Sequence, residues 1–209
     1  SFSSRRYGRK FEPDLTLEDV LHMGNIGDER RKIHPSTDEH FSVKTKIDPT
    51  NRKPLVRYYP YHVEGEIYGY KVRELPKEWK PAIGTIKSTD LFGWHLCTGR
   101  RKVLIITEGE EDTLAGWQMH KSMNRRSKRG RINRYNPHIV SLPDGAKGVV
   151  KSLLKHIEEL EKYEKIIWMG DNYKTDVDGA TALELAAQVL GVDRLFVAEY
   201  PEHKKDLCD

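Results

Sequence analysis

The sequence predicts an α/β fold for residues 101–209, a four-stranded parallel sheet flanked by helices, preceded by a smaller α+β subdomain. Three observations predict it. Short β-branched apolar runs recur after residue 101, amphipathic helical periodicity lies between them, and Gly191 stops the last helix. Strands that alternate with helices build a parallel sheet, because each crossover between parallel strands needs a long connection.

The elements of the second half follow one another in a regular order. We predict strands at residues 102–107, 138–142, 165–169 and 194–200, each short and apolar enough for a buried parallel strand. We predict helices at residues 113–123, 147–163 and 179–190. The middle helix is expected to bury one face made of Val150, Leu153, Leu154, Ile157 and Leu160.

The first hundred residues follow a different pattern. Short helices are predicted at 17–22 and 36–41, and runs at 55–61 and 66–73 are predicted to form an antiparallel hairpin. We expect a basic, loosely ordered segment over residues 1–30, an α+β subdomain over 31–100 and the α/β domain over 101–209. Cross-strand and core positions are favoured over base stacking for the aromatic residues Tyr58, Tyr59, Tyr61, Tyr68 and Trp79.

Composition limits the class of protein. Charged residues make up 33% of the chain, no apolar run approaches the roughly 20 residues that span a bilayer, and the polar start lacks the apolar core of a secretory signal. We expect a soluble cytoplasmic protein without membrane contact, with a mitochondrial location as the lesser alternative. Cys97 and Cys208 predict neither a disulfide scaffold nor a structural zinc site.

Positive charge is concentrated in one segment. The net charge of +4 is too small to predict nucleic-acid binding by itself, but residues 124–134 read NRRSKRGRINR. Such a segment can follow a DNA backbone, and a solvated loop is an equally good interpretation. The candidate DNA-binding residues are Arg125, Arg126, Lys128, Arg129 and Arg131.

Two acid-rich turns each follow a predicted strand of the parallel sheet. The first begins at Glu108 and includes Asp112, and the second begins at Asp171 and includes Asp176 and Asp178. Because the carboxyl ends of parallel strands meet at one edge, Glu108 and Asp171 are expected to converge if their two strands lie near one another. Oxygen ligands at this density suit Mg²⁺ or Mn²⁺. Acids in such turns also cap helices, and the residues alone leave both interpretations open.

Together the two turns resemble the TOPRIM signature that primases, topoisomerases and some nucleases share. Residues 103–115 (VLIITEGEEDTLA) are similar to its first half, a strand ending in Glu-Gly with an acid a few residues on. Residues 165–187 are similar to its second half, a strand ending in Asp-x-Asp that leads into a helix. The resemblance implies catalytic or metal-binding roles for Glu108, Asp112 and Asp171.

From about residue 31 onward the chain also resembles the primase part of phage primase–helicases and their Twinkle-like relatives. The segments that carry this resemblance are residues 31–43 (RKIHPSTDEHFSV), Tyr70-Lys71-Val72-Arg73, Leu91-Phe92-Gly93 and Lys205-Asp206. The resemblance implies a cleft between two subdomains that holds single-stranded template DNA, nucleoside triphosphates and a divalent metal. It implies nucleotide or template contacts for Lys71, Arg73 and Lys205.

The sequence departs from the family pattern at one motif position. Tyr173 stands where the second aspartate of Asp-x-Asp is expected, and a phenol is a poor ligand for Mg²⁺ at neutral pH. Our hypothesis is that Asp176, or else Asp178, supplies the missing carboxylate; the alternative is a weakened or inactive site. The sequence has neither a zinc-binding motif nor the phosphate-binding loop of a helicase motor, which is the pattern expected of a part of a larger protein.

The leading hypothesis from sequence is a DNA primase core, a nucleotidyltransferase that makes short RNA primers on single-stranded DNA with Mg²⁺ or Mn²⁺. A second hypothesis is a non-catalytic module that binds single-stranded DNA for a replicative helicase, fused or separate. A TOPRIM nuclease is the lesser alternative. Any oligomer is expected to form through regions outside this sequence.

Overall fold

The computed structural model describes residues 15–76, 78–126, 137–201 and 203, and within them it contains two four-stranded sheets. The first sheet is antiparallel and the second is parallel, so the predicted fold class is confirmed. An apolar cluster around Phe41, Phe92 and Leu114 lies where the two halves meet. In this described part, no helix is both long and apolar enough to cross a membrane.

The antiparallel sheet has the strand order β1-β2-β3-β4. Its strands are β1 (Lys44–Ile47), β2 (Pro54–Val63), β3 (Glu66–Glu74) and β4 (Glu78–Gly84), and the helices α1 (Leu17–Leu21) and α2 (Pro35–Phe41) precede it. The predicted hairpin corresponds to β2 and β3. The sequence does not predict the two edge strands, because β1 is short and β4 contains Pro81 and exposed polar side chains, as edge strands often do.

The parallel sheet has the strand order β6-β5-β7-β8. Its elements are β5 (Val103–Thr107), α3 (Glu110–Arg126), β6 (His138–Ser141), α4 (Val149–Lys155), α5 (Ile157–Leu160), β7 (Lys165–Met169), α6 (Val177–Leu190) and β8 (Leu195–Val197). The four strands confirm the predicted parallel arrangement. Because β5 and β7 are adjacent at the centre, the turns that follow them are neighbours.

The prediction of one continuous middle helix is wrong. The chain leaves helical geometry at His156, which separates α4 from α5. Val150 and Leu154, expected on the buried face, are 37% and 54% exposed. The buried imidazole of His156 packs on Trp94 with 4.5 Å between ring centroids, so a polar ring is buried at the point where the helix breaks.

Three histidines pack where the two sheets meet. His62 of β2 stacks on His95 with 3.7 Å between ring centroids, and Nε2 of His156 lies 3.6 Å from Oδ1 of Asp90. Burial lowers the pKa of His95 from 6.5 to about 4. Burial also lowers the pKa values of His62 and His156, which are both almost fully buried.

We expect this junction to lose stability in acid. The unfolded chain takes up protons on these histidines below pH 6.5, whereas folding keeps His95 neutral down to about pH 4. Their contribution to the free energy of unfolding is therefore complete above pH 6.5 and is lost as the pH falls toward 4. Urea-unfolding midpoints across this range measure the effect. Replacing His95→Gln should flatten the profile, and a variant profile as steep as the wild-type one would contradict this prediction.

Candidate active site

A cleft of about 420 Å³ lies between the two sheets, at the carboxyl edge of the parallel sheet. Its walls are formed by Lys71, Trp79, Glu108, Gly109, Glu110, Asp112, Pro143, Asp144, Gly145 and Asp171. One wall comes from β3 and β4, and the other comes from the segments that follow β5, β6 and β7. Ligands of open α/β sheets commonly bind at this edge, outside the carboxyl ends of the strands.

Glu108 and Asp171 lie side by side in this cleft. The backbone N–H of Asp171 donates a hydrogen bond to Oε2 of Glu108, with 3.3 Å between the two atoms. Thr107 of β5 pairs with Met169 of β7, which brings the two following turns together. The predicted convergence of the two acids is confirmed, whereas their chemical roles stay predictions.

Glycines allow the two acid turns to approach each other. A Cβ on Gly170 would lie 2.6 Å from Nε1 of Trp168 and 3.3 Å from Oε2 of Glu108. A Cβ on Gly179, in the first turn of α6, would lie 3.1 Å from Cβ of Asp171. A side chain at Gly170 would therefore displace the Trp168 ring and crowd Glu108, and one at Gly179 would displace Asp171.

Glu110 connects the antiparallel sheet to the cleft. Its carboxylate accepts hydrogen bonds from the Tyr61 hydroxyl at 2.5 Å and from Nζ of Lys71 at 2.8 Å. Lys71 also donates to the carbonyl of Pro143 at 3.0 Å. Burial raises the pKa of Tyr61 well above its ordinary value, so the phenol stays protonated and can donate. These contacts position the Lys71 ammonium on the cleft wall.

Glu111, the next residue, belongs to a buried ion network instead. The fully buried side chain of Arg57 contacts Asp38 at 2.8 Å and Glu111 at 3.1 Å, and Tyr59 donates a hydrogen bond to Glu111. Burial alone would lower the pKa of Arg57, but Tyr59, Glu111 and Asp38 raise it above its ordinary value. The guanidinium is therefore charged, and Glu111 joins the two halves of the molecule.

The loop after β7 is organised by its own hydrogen bonds. Asp176 caps α6 by accepting from the backbone N–H of Gly179 at 2.9 Å, and the carbonyl of buried Asn172 accepts from the N–H of Asp176. Among the described residues, the cleft walls do not include Tyr173, Asp176 or Asp178. That part of the chain also holds no group of three His, Cys, Asp or Glu side chains suited to a metal ion. Metal binding by Asp176 or Asp178 stays a prediction.

The remaining candidate residues divide into two groups. Lys71 lies on the cleft wall, and the guanidinium carbon of Arg73 lies 5.4 Å from the ring centroid of Trp79. The side chains of Arg125, Arg126, Lys128, Arg129, Arg131 and Lys205 fall outside the described residues. Sequence reasoning missed Asp144, although it follows β6 and so fits the same pattern of an acid after a parallel strand.

A search of protein-family models found no match to this chain. The chain is similar to the crystal structure of the primase fragment of the bacteriophage T7 primase-helicase protein, with a TM-score of 0.70 and 29% identity, covering 88% of this chain and 67% of that one. It is also similar to a structure of the bacteriophage T7 lagging-strand DNA polymerase interacting with the primase domains of two gp4 subunits, a complex that contains an RNA/DNA hybrid and dTTP. That match has a TM-score of 0.70 and 27% identity, and covers 92% of this chain and 86% of the other.

Proposed function

We propose that this chain, which resembles the primase part of phage primase–helicases in fold and sequence, is the core of a DNA primase. In this proposal it joins nucleotides into short RNA primers on single-stranded DNA. The observation that carries the proposal is the pairing of Glu108 with Asp171 in a cleft whose opposite wall carries the Lys71 ammonium. The T7 complex, which contains primase domains together with a DNA polymerase, an RNA/DNA hybrid and dTTP, supports the same assignment.

The cleft residues fit a divalent cation. Mg²⁺ in phosphoryl-transfer sites is commonly held by one or two carboxylates, with water and substrate phosphates completing its octahedron. Glu108 and Asp171 offer such a pair, and Asp112 and Asp144 line the same cleft. We therefore assign Glu108 and Asp171 as the principal ligands of Mg²⁺ or Mn²⁺. The bound ion would offset negative charge on the reacting phosphate.

The protein groups in this proposal position the substrate. The primer 3′ hydroxyl attacks the α-phosphate of the incoming nucleotide, and pyrophosphate leaves. Lys71, held by Glu110, provides a fixed ammonium for phosphate oxygens, and Arg73 adds a second cation on the same strand. Because both cations lie on the antiparallel sheet and both acids on the parallel sheet, a triphosphate between them would bridge the two halves.

Template-directed incorporation of labelled nucleotides tests the proposal. The full-length protein, single-stranded template and nucleoside triphosphates are incubated with Mg²⁺ or Mn²⁺, and short RNA products are resolved on a gel. Products that need both template and metal would support a primase. Absence of products from the full-length protein under either metal would reject it.

A second candidate function is a non-catalytic module that binds single-stranded DNA. Its support is the acidic loop after β7, where Tyr173 replaces the motif aspartate and Asp176 caps α6. DNA binding that is equally strong in EDTA and in Mg²⁺, without primer synthesis, would favour this module over the enzyme. Metal-dependent cleavage of DNA would instead indicate a nuclease.

The basic segment at residues 124–134 is proposed to contact the DNA backbone. Each phosphate that the protein ceases to neutralise should reduce the slope of log affinity against log salt by about 0.7 for single-stranded DNA. Neutral replacements of Arg125, Arg126, Lys128, Arg129 and Arg131 should weaken binding and flatten that slope. Replacing Arg52 and Lys53, exposed in the β1–β2 turn, is the control and should change little. Identical slopes for wild type and the segment variant would remove the claim.

A further inference from the structure

Trp79 is a large exposed aromatic residue on the wall of the cleft. Its side chain is 47% exposed, whereas Tyr59 and Tyr61 of the same sheet are completely buried. Trp79 of β4 is the cross-strand partner of Arg73, and Tyr59 of β2 is the partner of Lys71. Cross-strand partners lie on the same face of a sheet, so the two tyrosines and Trp79 share one face. Along this face the tyrosine rings are buried, and the Trp79 ring is exposed at the cleft.

Two cations hold the Trp79 ring in place. Nζ of Lys71 lies 4.4 Å from the ring centroid, and the guanidinium carbon of Arg73 lies 5.4 Å from it. Nε of Arg73 is buried and has no hydrogen-bond acceptor within the described residues. A buried donor without an acceptor costs stability, so a ligand oxygen that accepts from Arg73 would be stabilised there. The result is an aromatic surface bordered by positive charge.

We propose that Trp79 stacks on a nucleobase bound in the cleft, with the attached phosphates directed toward Lys71 and Arg73. An indole presents a flat apolar surface to any base, and a ring already ordered by its neighbours loses little freedom when a base binds. This inference rests on the proposed function for the identity of the ligand. It adds the residue that recognises the base rather than the phosphate.

Exposure alone does not distinguish Trp79, because Tyr68 of β3 is 50% exposed. The difference is location. Trp79 lines the cleft with Glu108 and Asp171, whereas Tyr68 is not among the described residues of its walls. Tyr68 therefore provides a matched control, an equally exposed aromatic residue of the same sheet that should not affect ligand binding.

Binding of three probes to the full chain tests this inference. The probes are ATP with Mg²⁺, a short oligodeoxyadenylate and inorganic tripolyphosphate, measured by calorimetric titration. Trp79→Ala should weaken binding of a base-containing probe roughly five- to hundredfold, which is the range for loss of one base–aromatic stack. Tripolyphosphate has no base, so its affinity should not change. Trp79→Phe should recover most of the loss, and Tyr68→Ala should bind like wild type.

Each outcome supports or overturns the proposal independently of primer synthesis. If Trp79→Ala loses affinity only for ATP, Trp79 stacks on the base of the incoming nucleotide. If it loses affinity only for the oligonucleotide, Trp79 stacks on a base of the template. Unchanged affinity for both, an equal loss for tripolyphosphate, or absence of wild-type binding to any probe would overturn it. If binding depends on Trp79 but no primers form, the stacking site stands and the proposed primase activity fails.

Discussion

Glu108→Gln should reduce primer synthesis by about 100-fold or more, a typical cost of removing one preorganised charged group from a phosphoryl-transfer or hydrolytic site. The amide keeps the size and hydrogen-bonding capacity of the carboxylate, so the contact with the backbone of Asp171 can persist. What disappears is the negative charge that would bind the cation. EDTA should have the same effect on the wild-type protein. Both effects are measured as initial rates of labelled primer formation.

Glu184→Gln is the matched control for this experiment. Glu184 is an exposed carboxylate on α6, outside the cleft walls in the described structure, and its replacement should leave the rate unchanged. Melting curves should be superimposable for wild type and both variants, because neither change alters packing. Full activity of Glu108→Gln would exclude Glu108 as a metal ligand and with it the mechanism proposed above.

Arg57→Met should destabilise the protein by about 3–5 kcal/mol, the usual cost of removing one partner from a buried ion pair. The side chains of Arg57 and Asp38 have no exposed surface, and Glu111 is 6% exposed as a residue. Methionine fills much of the same volume but leaves both carboxylates without the guanidinium. The free energy of unfolding, measured by urea titration, should fall accordingly.

The exposed pair between Lys102 and Glu164 is the control for Arg57. Their nitrogen and oxygen lie 2.7 Å apart, but the side chains are 77% and 62% exposed. Lys102→Ala should therefore change the free energy of unfolding by less than about 1 kcal/mol. If Arg57→Met costs no more than Lys102→Ala, the buried network does not hold the two halves together.

The parallel sheet could be predicted from sequence because each of its strands is a short apolar run that can be recognised from its own residues. β7 is a continuous apolar run, and the structure begins and ends it at the predicted residues, Lys165 and Met169. β8 is shorter than predicted and pairs with only one neighbour, at the edge of the sheet. A buried strand must be apolar on both faces, whereas an edge strand is under weaker selection by burial.

Other features depended on contacts between distant residues. The break between α4 and α5 lies at His156, whose packing against Trp94 is a contact that local periodicity does not contain. The buried position of Arg57 is equally hidden, because its partners Asp38 and Glu111 are remote in the chain. Without knowledge of those partners, an arginine in a strand rich in aromatic residues would be expected to point to solvent.

The sequence alone predicted that Glu108 and Asp171 would lie at the same edge of the sheet, since parallel strands end at the same edge. The tertiary structure decided that β5 and β7 are neighbours, which brings the two acids together. Only the tertiary structure decided which role each acid after β5 takes. Successive residues at the start of α3 point in different directions, so Glu110 holds Lys71 at the cleft while Glu111 is buried against Arg57. The different roles of Glu110 and Glu111 depend on the antiparallel sheet that packs against this turn. The position of that sheet is set by the whole fold rather than by local sequence.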